Sequence, residues 1–138
     1  MGGTTVTENV VLHYRDGQLL KGHIAAFSGE NLTFEVQPLT GGPAPITVEL
    51  TSLKAVFFVK DFVGDSTYGE VKAFGDGEYQ PGTRMEVAMF DGEVLVGTVE
   101  SYTPDGHGFF LVPADTKSNN LRCFVVAVSV KRASFFLD

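Results

Sequence analysis

The feature that most constrains this chain is a segment it carries twice. Val10 to Gly22 reads VVLHYRDGQLLKG, and 75 positions later Met85 to Gly97 reads MEVAMFDGEVLVG. Each copy is a short stretch of alternating apolar and polar residues, an Asp-Gly pair, a second apolar stretch and a closing glycine. Period-2 alternation marks a half-buried strand. Asp-Gly supplies the positive φ that a tight hairpin turn demands. Gly22 and Gly97 interrupt the return strand, as a bulge or a bend in a curling sheet would.

The likeness continues downstream. Leu20 matches Leu95, Phe34 matches Phe109 and Pro38 matches Pro113 at the same offset. Beyond Pro113 the second copy's loop, ADTKSNNLRC, reads as longer by three. At an offset of 78, Val48 matches Val126, and Ala55, Phe57 and Phe58 match Ala133, Phe135 and Phe136. Each copy then holds five short strands in about 55 residues. A sheet that small buries little while flat, and closure removes its edges. The sequence therefore predicts an all-β chain of two tandem five-stranded small barrels related by internal duplication. Residues 1–62 are the first, 63–82 a linker without a sustained period, and 83–138 the second. Each unit is small enough to be marginal alone, so the two are expected to pack together. The closing strands, VFFV and SFFL, are apolar on both faces and suit a buried contact between copies or subunits.

The pattern from Val10 to Val36 resembles the first half of the Sm/LSm family. The carrying residues are Asp16-Gly17, Gly22, Phe27-Ser28, Asn31 and Leu32-Thr33-Phe34. Two departures stand out: Ser28 and Thr103 replace an aspartate, and the spacing from Phe27 to Asn31 is one residue short. The family's second motif, a basic residue followed by glycine, is absent. Leu53-Lys54-Ala55-Val56 and Lys131-Arg132-Ala133-Ser134 stand in its place. The resemblance thus implies a small SH3-type barrel more strongly than it implies an RNA pocket. Residues 53–62 and 108–120 also resemble an uncharacterised bacterial family of duplicated small β-domains, which implies no activity.

Composition narrows the function classes. The formal charge is −7, spread as −2 over 1–62, −3 over 63–82 and −2 over 83–138. Neither copy is a basic module, which disfavours RNA because phosphate neutralisation drives nucleic-acid affinity. The single cysteine, Cys123, offers no disulfide framework or zinc cluster. No apolar leader or long apolar run is visible, so a cytoplasmic chain without membrane attachment is expected. No metal or cofactor is implied, because His13, His23 and His107 show no ligand spacing.

The most chemically loaded segment is Asp115, Lys117, Ser118, Asn119, Asn120 and Arg122, where the first copy has an uncharged Gly/Pro loop. This asymmetry marks it as a candidate binding loop, although Ser, Asn and Asp also cap turns through their own backbone. Ser28, Asn31, Asp105 and His107 occupy the positions of the Sm-type loops. Asp105 with His107 could form an acid–base pair, which lacks an orienting third group. The leading expectation is a non-enzymatic interaction or scaffold module that self-associates or binds protein through strand edges. An RNA-binding Sm-like protein and a small-molecule-binding domain are the alternatives.

Overall fold

The computed structural model describes residues 7–25, 27–40, 42, 44–62, 82–99, 106–115 and 118–136. The expected 63–82 linker lies outside them except for Gly82. The described residues are all-β. The first half runs β1 (Glu8–Tyr14), β2 (Leu19–Ile24), β3 (Thr33–Pro38), β4 (Ile46–Glu49), a 3-10 turn (Leu50–Ser52) and β5 (Leu53–Val59). The second repeats the series as β6 (Thr83–Met89), β7 (Val94–Val99), β8 (Gly108–Pro113), β9 (Asn120–Val126), a 3-10 turn (Ala127–Ser129) and β10 (Val130–Phe135).

Where two separate closed cylinders are expected, the ten strands form a single antiparallel sheet in the order β10-β6-β7-β8-β9-β5-β1-β2-β3-β4. Among the described residues no ladder joins the two ends of either half. The halves meet where β9 pairs with β5, Ala55 opposite Val125, Val56 opposite Phe124 and Phe57 opposite Cys123. A strand's side chains alternate between faces, and β5 divides its own accordingly. Leu53, Val56 and Phe58 enter the first half's core, with Phe124 and Val126 from β9. Ala55, Phe57 and Val59 enter the second half's core, with Cys123 and Val125. The two cores therefore lie on opposite faces of the shared β5–β9 pair, and the sheet curls in opposite senses on either side of it.

This accounts for the apolar character of VFFV on both faces. The corresponding β10 is mostly exposed, and Phe135 is 46% exposed. The ladders also correct the alignment of the two copies. Phe34 pairs with Val48, and its counterpart Phe109 pairs with Val125. Val10 pairs with Phe58, and Met85 with Phe135. After the long loop the offset is therefore 77, and that loop is longer by two residues. Lys54 and Lys131 now correspond, each the extra residue of a bulge against β1 or β6.

The glycines do what the sequence asks of them. Gly17 and Gly92 both have φ of 94° in the two Asp-Gly turns. A Cβ on Gly22 would lie 2.6 Å from the Gln37 carbonyl oxygen, and one on Gly97 would lie 2.0 Å from that of Val112. These close approaches let β2 and β7 fold over onto β3 and β8.

Candidate functional site

The two Asp-Gly turns, far apart in sequence, face each other across an open groove of about 650 Å³. Each turn is built the same way. Asp16 Oδ1 accepts the Gln18 N–H at 2.9 Å, and Asp91 Oδ1 accepts the Glu93 N–H at 3.0 Å. The Arg15 N–H donates to the Ser52 carbonyl at 3.0 Å, and the Phe90 N–H to that of Ser129 at 3.1 Å. Each turn is thus tied to the 3-10 turn of its own half, which fixes the groove's two walls.

Lys54 reaches between them. The bulge in β5 directs its ammonium to Asp91 Oδ2 at 2.6 Å and to Glu93 Oε1. Burial alone would lower the Lys54 pKa, but hydrogen bonds to Asp91 and Glu93, with their charges, raise it. The same hydrogen bond from Lys54 holds the Asp91 carboxyl below its usual range, helped by the Glu93 N–H. On the neighbouring strand the His13 ring packs at a tilt against Phe57, with centroids 4.4 Å apart. Burial and then the Lys54 charge lower its pKa, against the pull of Glu93 and Asp91. Burial also raises Tyr14, with Asp16 adding to it.

The lining is mixed. Tyr14, Arg15, Asp16, Thr51 and Ser52 come from the first half, and Met89, Phe90, Asp91 and Ser129 from the second. Phe90 is 67% exposed on this wall, the largest exposure among the big apolar side chains of the described residues. The two serine hydroxyls already donate to main-chain carbonyls, Ser52 Oγ to Glu49 at 2.6 Å and Ser129 Oγ to Leu53 at 3.0 Å. Among the described residues neither has a histidine or carboxylate partner that would activate it as a nucleophile. Among the described residues no three His, Cys, Asp or Glu side chains gather as metal ligands would.

A model of a family of unknown function, DUF6982, matches residues 6–136, almost the whole chain. The chain belongs to that family. No curated protein and no solved structure matches it.

In this DUF6982 chain the described residues of the expected binding loop make contacts within the protein. Ser118 is buried, and its Oγ accepts the Asn120 N–H at 3.0 Å. The Asn119 amide donates to the Asp61 carbonyl at 2.9 Å, clasping the loop to the end of β5. Asn120 opens β9. The Asp115 carbonyl accepts the Ser118 N–H at 3.1 Å. Arg122 lies between the rings of Phe58 and Phe110, 4.4 Å from each, and bonds both Glu8 carboxylate oxygens at 3.2 Å. Lys117 lies outside the described residues, as does Asp105.

Ser28 and Asn31 are exposed in the β2–β3 turn, where Ser28 Oγ accepts the Glu30 N–H at 3.3 Å. His107 is exposed, and its carbonyl accepts the Ala127 N–H at 2.8 Å. A second hollow of about 340 Å³ is bordered by His23, Glu35 and Gln37. There His23 Nδ1 is buried with no hydrogen-bond partner among the described residues. No helix among the described residues is long and apolar enough to cross a membrane.

Sequence reasoning missed Phe90 and Lys54. Phe90 had a signal: a large apolar residue directly before the Asp91-Gly92 turn, where the first copy has Arg15.

Proposed function

We propose that this chain is a non-enzymatic protein-interaction module. In this reading two Sm-like or SH3-type units, fused edge to edge, hold an extended protein segment in the groove between their Asp-Gly turns. The observation that carries it is the exposure of Phe90, an aromatic side chain held on a wall that the Ser129 carbonyl and Lys54 fix in place. Exposed aromatics beside a concave surface with a few fixed polar groups are typical anchors for a partner chain.

Charge supports a protein ligand over RNA. The groove's cations, Arg15 and Lys54, are matched by Asp16 and Asp91, and Lys54 is already engaged. Little is left to neutralise phosphates.

A photocrosslinking residue at position 90, compared with one at exposed Leu39, tests this in cells. The expected result is a discrete protein adduct from position 90, absent from position 39 and lost when Arg15→Glu is added. No adduct at 90, or an adduct to RNA alone, refutes the reading.

A further inference from the structure

The groove between the Asp-Gly turns is lined by counterparts from the two halves. Asp16 corresponds to Asp91 and Ser52 to Ser129, and these shared residues build the same turn on each wall. Two other pairs differ. Tyr14 stands where the second half has Met89, and Arg15 where it has Phe90. The first wall is therefore polar and the second apolar.

Much of the hydrogen-bonding capacity around the groove is already used. Lys54 holds Asp91 and Glu93, and both serine hydroxyls donate to main-chain carbonyls. Oδ1 of each turn aspartate accepts a main-chain N–H. Arg15 and Tyr14 are different. Arg15 is exposed, and among the described residues neither its guanidinium nor the Tyr14 hydroxyl has a hydrogen-bond or ion-pair partner. Burial and the Asp16 charge keep the Tyr14 hydroxyl protonated, so it can donate. Unspent donors thus stand on one wall and the exposed Phe90 ring on the other.

We propose that the segment held in this groove carries a single carboxylate near an apolar or aromatic residue. The carboxylate meets Arg15 and Tyr14, and the apolar side chain lies against Phe90. This rests on the groove being the protein-binding site proposed above, and it adds which segment fits and which way round it lies.

The chemistry selects an acid, and only one. A guanidinium presents paired N–H donors that match the two oxygens of a carboxylate. Asp16 adjoins Arg15 and keeps one oxygen without a described partner, so a second acid would meet a like charge. A basic segment has Arg15 against it, and both oxygens of Asp91 are taken. The chain's net charge of −7 opposes an acidic run more than a lone acid, because charges beyond about 8 Å are largely screened at physiological salt.

The test is a titration of the isotope-labelled full chain with blocked Gly-Ser peptides, followed through its amide resonances. Each peptide carries one phenylalanine and one glutamate, in either order and at varied separations. Companion sets replace the glutamate by glutamine or lysine. The expected result is that the best glutamate peptide shifts the amides of Arg15, Gly17, Phe90 and Gly92. Its glutamine form should bind roughly threefold to tenfold more weakly, and its lysine form more weakly still. Phe90→Ala should weaken binding roughly tenfold or more. Both positions are exposed, so these variants keep the fold. Arg15→Glu should reverse the order, favouring the lysine peptide over the glutamate one, which a merely structural role for Arg15 would not do. Glutamine or lysine peptides that bind the wild type as well as glutamate overturn the inference. So does an Arg15→Glu variant that keeps the wild-type order, or a full set that leaves the groove amides unmoved. The photocrosslinked adduct at position 90 decides separately whether the groove holds protein, so the two readings fail by different results.

Discussion

Phe57 is covalently part of the first half, yet its ring belongs to the second half's core, where it is 6% exposed. Truncating it to alanine should therefore destabilise the half it does not belong to. Removing a buried phenylalanine side chain costs about 3–5 kcal/mol, transfer and cavity terms together. That is a large share of the roughly 5–15 kcal/mol that holds a domain folded. Because β5 is hydrogen-bonded to both β1 and β9, neither half keeps a complete sheet once that strand is loosened. Native-state hydrogen exchange reads this directly. In Phe57→Ala, the slowest amides of β1–β2 and of β6–β7 should lose protection together. The loss should be roughly two to nearly four decades, at about 1.4 kcal/mol per decade. Phe58→Ala, whose ring points into the first core, should produce the same pattern. If Phe57→Ala loosens only one half, or if urea unfolding splits into two transitions, the shared-strand account is wrong.

Four further outcomes are expected. Gly97→Ala should cost about 2–3 kcal/mol in urea unfolding, since the new Cβ meets the Val112 carbonyl. Gly92→Ala, with open space around it but φ of 94°, should cost about 1–2 kcal/mol. Stability should fall as pH drops through the range where His13 and then Asp91 protonate, because both have folded pKa values below their unfolded ones. It should fall again in strong alkali as Tyr14 and Lys54, whose folded pKa values are both raised, lose their protons. Lys54→Met should shrink the alkaline limb to Tyr14's share and flatten the Asp91 part of the acid limb, and His13→Gln should flatten the limb near neutrality, both followed as urea midpoints against pH. The Cys123 thiol, 2% exposed, should react with a thiol reagent only as fast as the chain unfolds.

Much of this architecture was legible in the residues. Alternation located the strands, Asp16-Gly17 and Asp91-Gly92 the turns, and Gly22 and Gly97 the tight crossings, because each depends on neighbours only a few positions away. The two-faced VFFV segment even announced a strand buried on both sides. Which strand would cover it was not legible, since periodicity says how a strand faces and not what lies beside it.

The alignment error has the same root. Offsets of 77 and 78 each give four identities after the long loop, and matching Phe57-Phe58 to Phe135-Phe136 favoured the wrong one. A one-residue slip exchanges the two faces of a strand, so the tie could be broken only by the ladders to β1 and β6. The groove escaped for a related reason. Phe90, Lys54 and Tyr14 converge because two hairpins approach through the shared β5–β9 pair, a long-range event with no local mark. Asn119 and Arg122 looked like ligand groups because hydrogen-bonding capacity is visible in a sequence and its internal use is not.

The two-sided β5 also sets a hazard during synthesis. Ala55, Phe57 and Val59 leave the ribosome well before Cys123 and Val125, which cover the same side of the sheet. At about 5–20 residues per second, the interval from Phe57 to its partner Cys123 is roughly 3–13 s. For that time a nascent first half displays an oily strip that Val11, His13 and Phe62 only partly cover. Ribosome-bound chains arrested between β5 and β9 should therefore be the species that chaperones hold and that crowded translation causes to clump.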